Sequence, residues 1–275
     1  MANATLMVHL ELGRSNANLL LAAGDLAESM HASVIGIAAC QTMPLGYGDK
    51  YFSGDSIQQL QEEVDKEFKE AETEFLKALQ PRVSTLEWRS MVTFVPPADY
   101  LAREARCADV VITGVTKRDF LDSSRHTDTI DLVMQLGRPV LIVPETTGKL
   151  NLNRVIVAWK DTRESRRAAL DALPVLKLAT HVVVAEIATE ENVAETRKGL
   201  ADVLRWLDRH GVVAEALVTA SAGNDTKLLG LIADQQDADI IVAGAYGHSR
   251  LREWVLGGVT SDLLLCADRC TLVSH

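Results

Sequence analysis

ADVVITG at residues 108–114 and ADIIVAG at residues 238–244 are the two segments that decide the fold of this 275-residue chain. Both consist of an alanine and an aspartate, an apolar run and a closing glycine. A second pair of segments repeats in the same order, because LMVHL at residues 6–10 corresponds to VIVAW at residues 155–159. The spacing is 130 residues for the first pair and 149 for the second. Self-similarity at such long spacings indicates an internal duplication, so the chain is predicted to contain two copies of one folding unit.

Each copy alternates short β-rich apolar runs with segments of helical periodicity. The apolar runs are continuous, which is typical of strands that helices cover on both faces. Strand–helix alternation with short connections favours right-handed βαβ units and a parallel sheet. We therefore predict an α/β fold of two tandem domains, each a five-stranded parallel sheet with helices on both faces. In the second copy the predicted strands are 155–159, 182–187, 213–218, 240–243 and 271–274, and the predicted helices are 164–176, 193–210 and 227–235.

A polar segment, ETTGKLNLN at residues 145–153, separates the copies and is predicted to be a linker. We expect an N-terminal domain at residues 1–146 and a C-terminal domain at residues 152–275. The N-terminal copy carries roughly 19 additional residues, and the glycine-containing stretch 41–56 has the composition of that insertion. This stretch can be a flap over a degenerate site or the lining of a second apolar pocket.

Composition and charge narrow the function classes. With 47% hydrophobic and 24% charged residues the chain falls in the globular range. A formal net charge of −10 argues against binding to nucleic acid or to anionic membranes. The first residues contain neither a basic leader nor a long apolar run, so we expect no signal peptide, no membrane anchor and a cytoplasmic location. Four cysteines without a CxxC pair fit reduced thiols and predict no metal site.

The second copy carries a glycine series directly after its fourth predicted strand. The segment GAYGHSRLREWVLGGVTS, residues 244–261, has the spacing G-x2-G-x9-G. Gly244 and Gly247 allow the backbone to turn sharply and a ligand to approach it without meeting a Cβ. Gly257 and Gly258 precede a predicted helix, whose free amides and dipole attract phosphate oxygens. The series therefore predicts a phosphate site.

Side chains close to these glycines can add to such a site. The hydroxyl groups of Thr260 and Ser261 can donate to phosphate oxygens or hold a metal bound to them. His248 and Arg250 can neutralise phosphate charge, although both also fit an exposed loop.

The N-terminal copy lacks the glycine series. Lys117, Thr127 and Asp128 stand where the second copy has Gly247, Gly257 and Gly258. An aspartate at the start of a helix competes for the amides that a phosphate would use. We therefore expect no triphosphate to bind in the N-terminal copy.

The glycine series and the strands around it resemble the universal stress protein family, in its tandem form. Nucleotide-binding members carry G-x2-G-x9-G followed by Ser or Thr and then by Val-Thr. The resemblance spans nearly the whole chain and implies ATP as ligand, with or without Mg²⁺. It implies that the phosphates are held by Gly247, Gly257, Gly258, Val259 and Thr260, with Gly244 near the ribose.

The chain departs from the family where the nucleoside is held. The family's aspartate after the first strand aligns with Lys160, and Asp161 follows one position later; in the N-terminal copy the same position is Glu11. Two alternatives follow from this difference. Either Asp161 takes over through a shifted loop, or adenosine is held mainly by the main chain around Ala158 and Glu186.

The resemblance implies a regulatory protein that binds one ATP in its C-terminal half. No residue has the character of a dedicated base, so we expect at most a slow ATPase. The alternative is an interaction module that binds no nucleotide and acts as a dimerising scaffold. Family members pair through their last strands, so residues 140–143 and 271–274 are expected to lie antiparallel within one chain. Such an intrachain pseudo-dimer is compatible with a further homodimer of whole chains.

Overall fold

The order of strands and helices in the structure confirms the predicted α/β class. The structure is a computed structural model that describes residues 4–41, 54–116, 124–221, 223–245 and 269–275. The strands are β1 (Thr5–His9), β2 (Ser33–Gln41), β3 (Leu86–Thr93), β4 (Val110–Gly114), β5 (Val140–Val143), β6 (Arg154–Trp159), β7 (His181–Ala188), β8 (Ala214–Ala220), β9 (Ile240–Gly244) and β10 (Cys270–Ser274). The helices are α1 (Ala17–Met30), α2 (Gly54–Leu79), α3 (Pro97–Glu104), α4 (Thr129–Leu136), α5 (Arg163–Asp171), α6 (Leu173–Leu176), α7 (Val193–Arg209) and α8 (Asp225–Gln235).

The ten strands form one sheet in the order β3-β2-β1-β4-β5-β10-β9-β6-β7-β8. Within the first five and within the second five, neighbouring strands are parallel. In each half the first strand lies beside the fourth, so the strand order reverses between β1 and β4 and again between β6 and β9. Ligands of open parallel sheets bind beyond the carboxyl ends of the strands at such a reversal, which marks one candidate position in each half.

The two half-sheets are joined by one antiparallel pair of strands. β5 pairs with β10, with Leu272 opposite Leu141 and Val273 opposite Val140. All the described residues of both strands are buried. This confirms the predicted intrachain pairing of the last strands, which covers two edges that would otherwise expose unpaired amides and carbonyls.

Helices cover both faces of the sheet, as predicted. Along β1 the side chains alternate between two cores, because Leu6 and Val8 belong to one apolar cluster and Met7 to the other. The first cluster includes buried residues of α1, α2, α5, α6 and α7, and the second includes buried residues of α3, α4 and α8. Burial on both faces explains why the strands are continuous apolar runs.

Two local predictions need correction. The single helix predicted at 164–176 is divided into α5 and α6 at Ala172, two residues before Pro174, which has no amide hydrogen to continue the helical ladder. The stretch interpreted as a looped insertion, residues 41–56, begins within β2 and ends within α2. α2 has 26 residues and α7 in the other half has 17, so a longer helix accounts for part of the additional length. Residues 42–53 lie outside the described residues.

We expect Leu272→Ala to lower the free energy of unfolding by about 2–5 kcal/mol, the usual cost of a cavity left by a buried leucine. Leu272 is 2% exposed and packs at the junction of the half-sheets. Leu231→Ala is the matched control, because Leu231 is 47% exposed on α8 and its loss is expected to change stability by no more than about 0.5 kcal/mol. Urea denaturation followed by circular dichroism measures both. Equal losses in the two variants would contradict the central role given to the β5–β10 pair.

Candidate functional site

The C-terminal candidate site is built on the carboxyl ends of β6, β7 and β9. In the sheet register Ala158 lies between Ala185 and Ala243, and Trp159 is paired with Glu186. Lys160 and Asp161 follow at the end of β6, and Gly244 ends β9. The fold therefore gathers at one edge the five predicted residues that the structure describes, which are Ala158, Lys160, Asp161, Glu186 and Gly244.

The position of Glu186 at this edge perturbs the ionisation of its carboxyl group. Partial burial raises the pKa of the Glu186 carboxyl above its ordinary value, and the negative charge of Asp161 raises it further. The ammonium group of Lys160 acts in the opposite direction. Two carboxylates and one cation thus share this edge at a distance that lets them influence each other.

Asp161 is oriented by the helix that follows it. Its Oδ1 accepts hydrogen bonds from Nε and Nη2 of Arg166 on α5, at 3.1 and 2.7 Å. The Asp161 and Arg166 side chains are 72% and 59% exposed, so this is a surface ion pair that contributes little to stability. The turn before α5 is held by Thr162, whose Oγ1 accepts from the Ser165 amide at 3.4 Å. Asp161 is therefore available at the surface but already has a cationic partner.

Gly244 is a glycine for a reason that differs from the predicted one. A Cβ at this position would lie 2.5 Å from the carbonyl carbon of Glu164 and 2.6 Å from the amide nitrogen of Ser165. The first turn of α5 therefore occupies the space in which a ligand was expected to approach the backbone. In the N-terminal half a Cβ at Gly114 would meet no atom within 4 Å.

Glu164 belongs to this edge and was missed by sequence reasoning. The residue is 4% exposed, and one carboxylate oxygen is paired with Arg163. Within the described ranges, the other oxygen has no hydrogen-bond partner. A glutamate in the first turn of a helix usually faces solvent, so only the packing of α5 against β9 reveals that this one is buried.

The other predicted site residues of this half fall in the segment 246–268, outside the described residues. They are Gly247, His248, Arg250, Gly257, Gly258, Val259, Thr260 and Ser261, and Cys266 falls there too. In the N-terminal half, Lys117 is likewise outside. Cys270 is buried, which raises the pKa of its thiol to about 11.

The start of α4 shows why the N-terminal half differs. Asp128 Oδ1 accepts hydrogen bonds from the amides of Ile130 and Asp131, at 2.8 and 3.4 Å. The Oγ1 of Thr129 accepts from the Thr116 amide at 2.8 Å and lies 3.2 Å from the Thr116 carbonyl oxygen. The prediction that Asp128 would occupy the amides of this helix is confirmed. The chain itself satisfies the groups that a phosphate would need here.

A buried polar cluster lies at the end of β1. Nδ1 of His9 is 3.0 Å from Oγ1 of Thr113, and burial lowers the pKa of the His9 imidazole. Oε2 of Glu11 is 3.5 Å from Nδ1 of His126. Comparison of the two copies in the sequence singled out only Glu11 of this cluster. His9 and His126 form no recognisable motif, because they are more than 100 positions apart.

The structure of the whole chain resembles that of a known protein. A universal stress protein from Archaeoglobus fulgidus DSM 4304 superposes with a TM-score of 0.75 at 14% identity, covering 100% of this chain and 99% of that one. The chain has the universal stress protein fold, in two tandem copies. No protein-family model and no curated protein matches its sequence.

Two Pseudomonas aeruginosa structures share the universal stress protein fold over a similar length. A candidate universal stress protein from strain UCBPP-PA14 has a TM-score of 0.62 at 14% identity, covering 99% of this chain and 93% of that one. A protein of unknown function from strain PAO1 has a TM-score of 0.60 at 13% identity, covering 99% and 92%. At these identities the likeness establishes the fold alone.

Membrane-spanning helices and metal clusters are both absent from the part of the chain that the structure describes. None of its helices combines the length and apolarity needed to cross a bilayer. Within the same ranges, no group of three or more His, Cys, Asp or Glu side chains is arranged to hold a metal ion.

We expect Gly244→Ala to lower the free energy of unfolding by about 1–3 kcal/mol, because the added methyl group requires α5 to move. Gly114→Ala is the matched control at the equivalent position of the other half, where the methyl group enters open space. It is expected to change stability by about 0.5 kcal/mol or less. Urea denaturation of both variants is the measurement, and equal stability of the two would contradict the packing explanation.

We expect Glu186→Gln to stabilise the protein relative to wild type more at neutral pH than in acid. The raised pKa means that the folded state binds more protons than the unfolded state between the two pKa values, so the residue's contribution to stability falls as pH rises through that interval. Glutamine cannot ionise and avoids this loss. Unfolding free energies at about pH 3.5 and pH 7 test it. The gain should shrink in an Asp161→Asn background, and a pH-independent difference would refute the assignment.

Proposed function

We propose that the chain is a tandem universal stress protein that binds one adenine nucleotide, ATP, in its C-terminal half and acts as a regulator. The observation that carries this proposal is the difference between the two halves at the same point of the fold. After β4, the helix amides are capped by Asp128. After β9, the chain continues into the glycine series that starts at Gly244, with Gly257 and Gly258 at the positions equivalent to Thr127 and Asp128.

The proposed phosphate contacts are backbone amides and short side chains. Gly247, Gly257, Gly258 and Val259 would supply amides, and Thr260 and Ser261 would supply hydroxyl groups for the phosphates or for an accompanying Mg²⁺. His248 and Arg250 would offset phosphate charge. Such groups bind and position an anion, but none of them is suited to remove a proton from water. Turnover is therefore expected to stay far below the roughly 10 s⁻¹ of a typical enzyme.

The described residues at this edge fit the remainder of a nucleotide. Lys160 places a cation close to Glu186, at the ends of β6 and β7. Glu186, Asp161 and the carbonyl groups near Ala158 are acceptors of the kind that ribose hydroxyls and an exocyclic amine require. Because Asp161 is paired with Arg166, we assign the larger part of nucleoside binding to Glu186 and the main chain.

The charge and the thiols of the chain support a cytoplasmic regulator. A net charge of −10 does not favour nucleic acid or anionic lipid as partner. We place the protein in the cytoplasm on its composition and on its four cysteines, which form no CxxC pair in the sequence. Occupancy of the nucleotide site would then alter the surface around the glycine series, which partner proteins or a second chain can read.

Titration calorimetry should give one ATP per chain. Gly257→Val should weaken binding by more than about a hundredfold, equivalent to about 3 kcal/mol, because a branched Cβ would occupy phosphate space and restrict the turn. Gly148→Val is the control, since a Cβ on that linker glycine would meet no atom within 4 Å and the residue lies outside the site.

Three results would count against the proposal. Two equivalent sites per chain would show that the Asp128 cap does not exclude a nucleotide. Wild-type affinity in Gly257→Val would place binding elsewhere. A chain that binds no adenine nucleotide at all would favour the scaffold alternative, in which the tandem fold serves only for interaction.

A further inference from the structure

The N-terminal half contains a cleft of about 420 Å³ at the carboxyl ends of β1, β4 and β5. We call it the N-terminal cleft; Glu11, Arg14, Asn18, Gly114, Pro144 and Glu145 are among the residues that line it. Its volume is within the range of small-molecule sites. The open space at Gly114 is part of this cleft, whereas α5 fills the equivalent space at Gly244.

The length of one loop produces the cleft. Three residues connect β6 to α5, but the seven residues 10–16 connect β1 to α1. Gly13 has a φ of +70° within this longer connection, a conformation that favours glycine. Asn16 fixes the turn, because its Oδ1 accepts from the Glu11 amide and its Nδ2 donates to the Glu11 carbonyl, both at 3.0 Å. Glu11 is therefore held in a defined position.

The Glu11 carboxylate is buried and incompletely satisfied. The residue is 8% exposed. Oε2 lies 3.4 Å from Nη1 of Arg14 and 3.5 Å from Nδ1 of His126, and Oε1 has no hydrogen-bond partner among the residues that the structure describes. A buried carboxylate with long contacts and an unused oxygen carries a large desolvation cost. Rotation about χ3, which has a broad profile, can present either oxygen to a donor in the cleft.

Two of the backbone amides at the start of α1 are already occupied. The Asn16 amide, at the start of α1, donates to the Glu74 carboxylate at 3.0 and 3.2 Å. The Ala17 amide donates to the Ser15 hydroxyl at 3.3 Å. Glu74 thus takes the position at the helix N-terminus where an anionic ligand would bind.

The charges that line the cleft favour a cation. Glu11 and Glu145 contribute two carboxylates, and Arg14 contributes one guanidinium, whose side chain is 47% exposed. An ammonium or guanidinium group on a ligand would donate a charge-assisted hydrogen bond to Glu11, roughly twice as strong as a neutral one. A phosphate in the cleft would face the Glu11 and Glu145 carboxylates.

We propose that the N-terminal cleft binds a small organic cation, a molecule with a primary ammonium or guanidinium group that hydrogen bonds to the Glu11 carboxylate. The chain would then carry two ligands of opposite charge, one in each half. This inference rests on the described residues of the N-terminal half and does not depend on nucleotide binding in the other half.

Titration calorimetry of the full chain tests the proposal with cadaverine and agmatine as cationic probes. Glutarate, which has the same number of carbons as cadaverine and two carboxylates, is the anionic counterpart. We expect one amine per chain with a Kd of about 1 mM or tighter, and at least tenfold weaker binding of glutarate. Glu11→Gln should weaken amine binding at least tenfold.

Gly114→Val is an independent second variant, because it keeps Glu11 and adds a side chain to open space that borders the cleft. It should also weaken amine binding at least tenfold. Glu190→Gln removes an exposed charge in the C-terminal half and should leave amine binding unchanged. Gly257→Val should bind the amines like wild type, which separates this proposal from the one for ATP.

The proposal is overturned if glutarate binds as well as cadaverine, or if neither amine binds up to about 10 mM. It is also overturned if Glu11→Gln and Gly114→Val, folded by circular dichroism, both retain wild-type affinity. Loss of amine binding in Gly257→Val would place the amine site in the other half and would overturn it equally.

Discussion

The antiparallel contact between β5 and β10 is the interaction on which the rest of the structure depends. Each half alone would end in a short, fully buried apolar strand with an open edge, and such edges invite aggregation. Pairing Leu141 with Leu272 closes both edges at once and merges ten strands into one sheet. Because the strands of each half are parallel to its own last strand, this pairing directs the carboxyl ends of the two half-sheets to opposite edges. The two candidate sites therefore lie apart and can diverge independently.

The two halves differ in the connection that follows their first strand. In the C-terminal half the short connection brings the first turn of α5 against Gly244, so that glycine serves helix packing. In the N-terminal half the longer connection sets α1 back and leaves a cleft over Gly114. The same topology thus packs a helix turn against the glycine that ends β9 and leaves open space at the equivalent glycine of β4. In the N-terminal half, carboxylates also accept hydrogen bonds from amides at the starts of two helices. Asp128 does so at α4, and Glu74 does so at α1.

Buried carboxylates lie near the carboxyl end of the first strand in each half. Glu11 and Glu164 are each less than 10% exposed and each has an oxygen without a partner among the described residues. At the C-terminal edge, partial burial also raises the pKa of the Glu186 carboxyl. Desolvated charge of this kind costs stability unless a ligand or a further segment satisfies it, and it is more common at binding sites than elsewhere.

The sequence by itself determined the duplication, the strand–helix order and the parallel sheets, because apolar continuity and glycine placement are local signals of burial and turning. It also determined that Asp128 would cap α4, since an aspartate at a helix start has one dominant local partner. Only the tertiary structure decided why Gly244 is a glycine, that Glu164 is buried, and that His9, Glu11, Thr113 and His126 meet. Those facts depend on the approach of segments distant in sequence, in one case on the difference between a three-residue and a seven-residue connection. The N-terminal cleft has the same origin: no residue in it is unusual alone, and it exists because α1 begins later than α5 does.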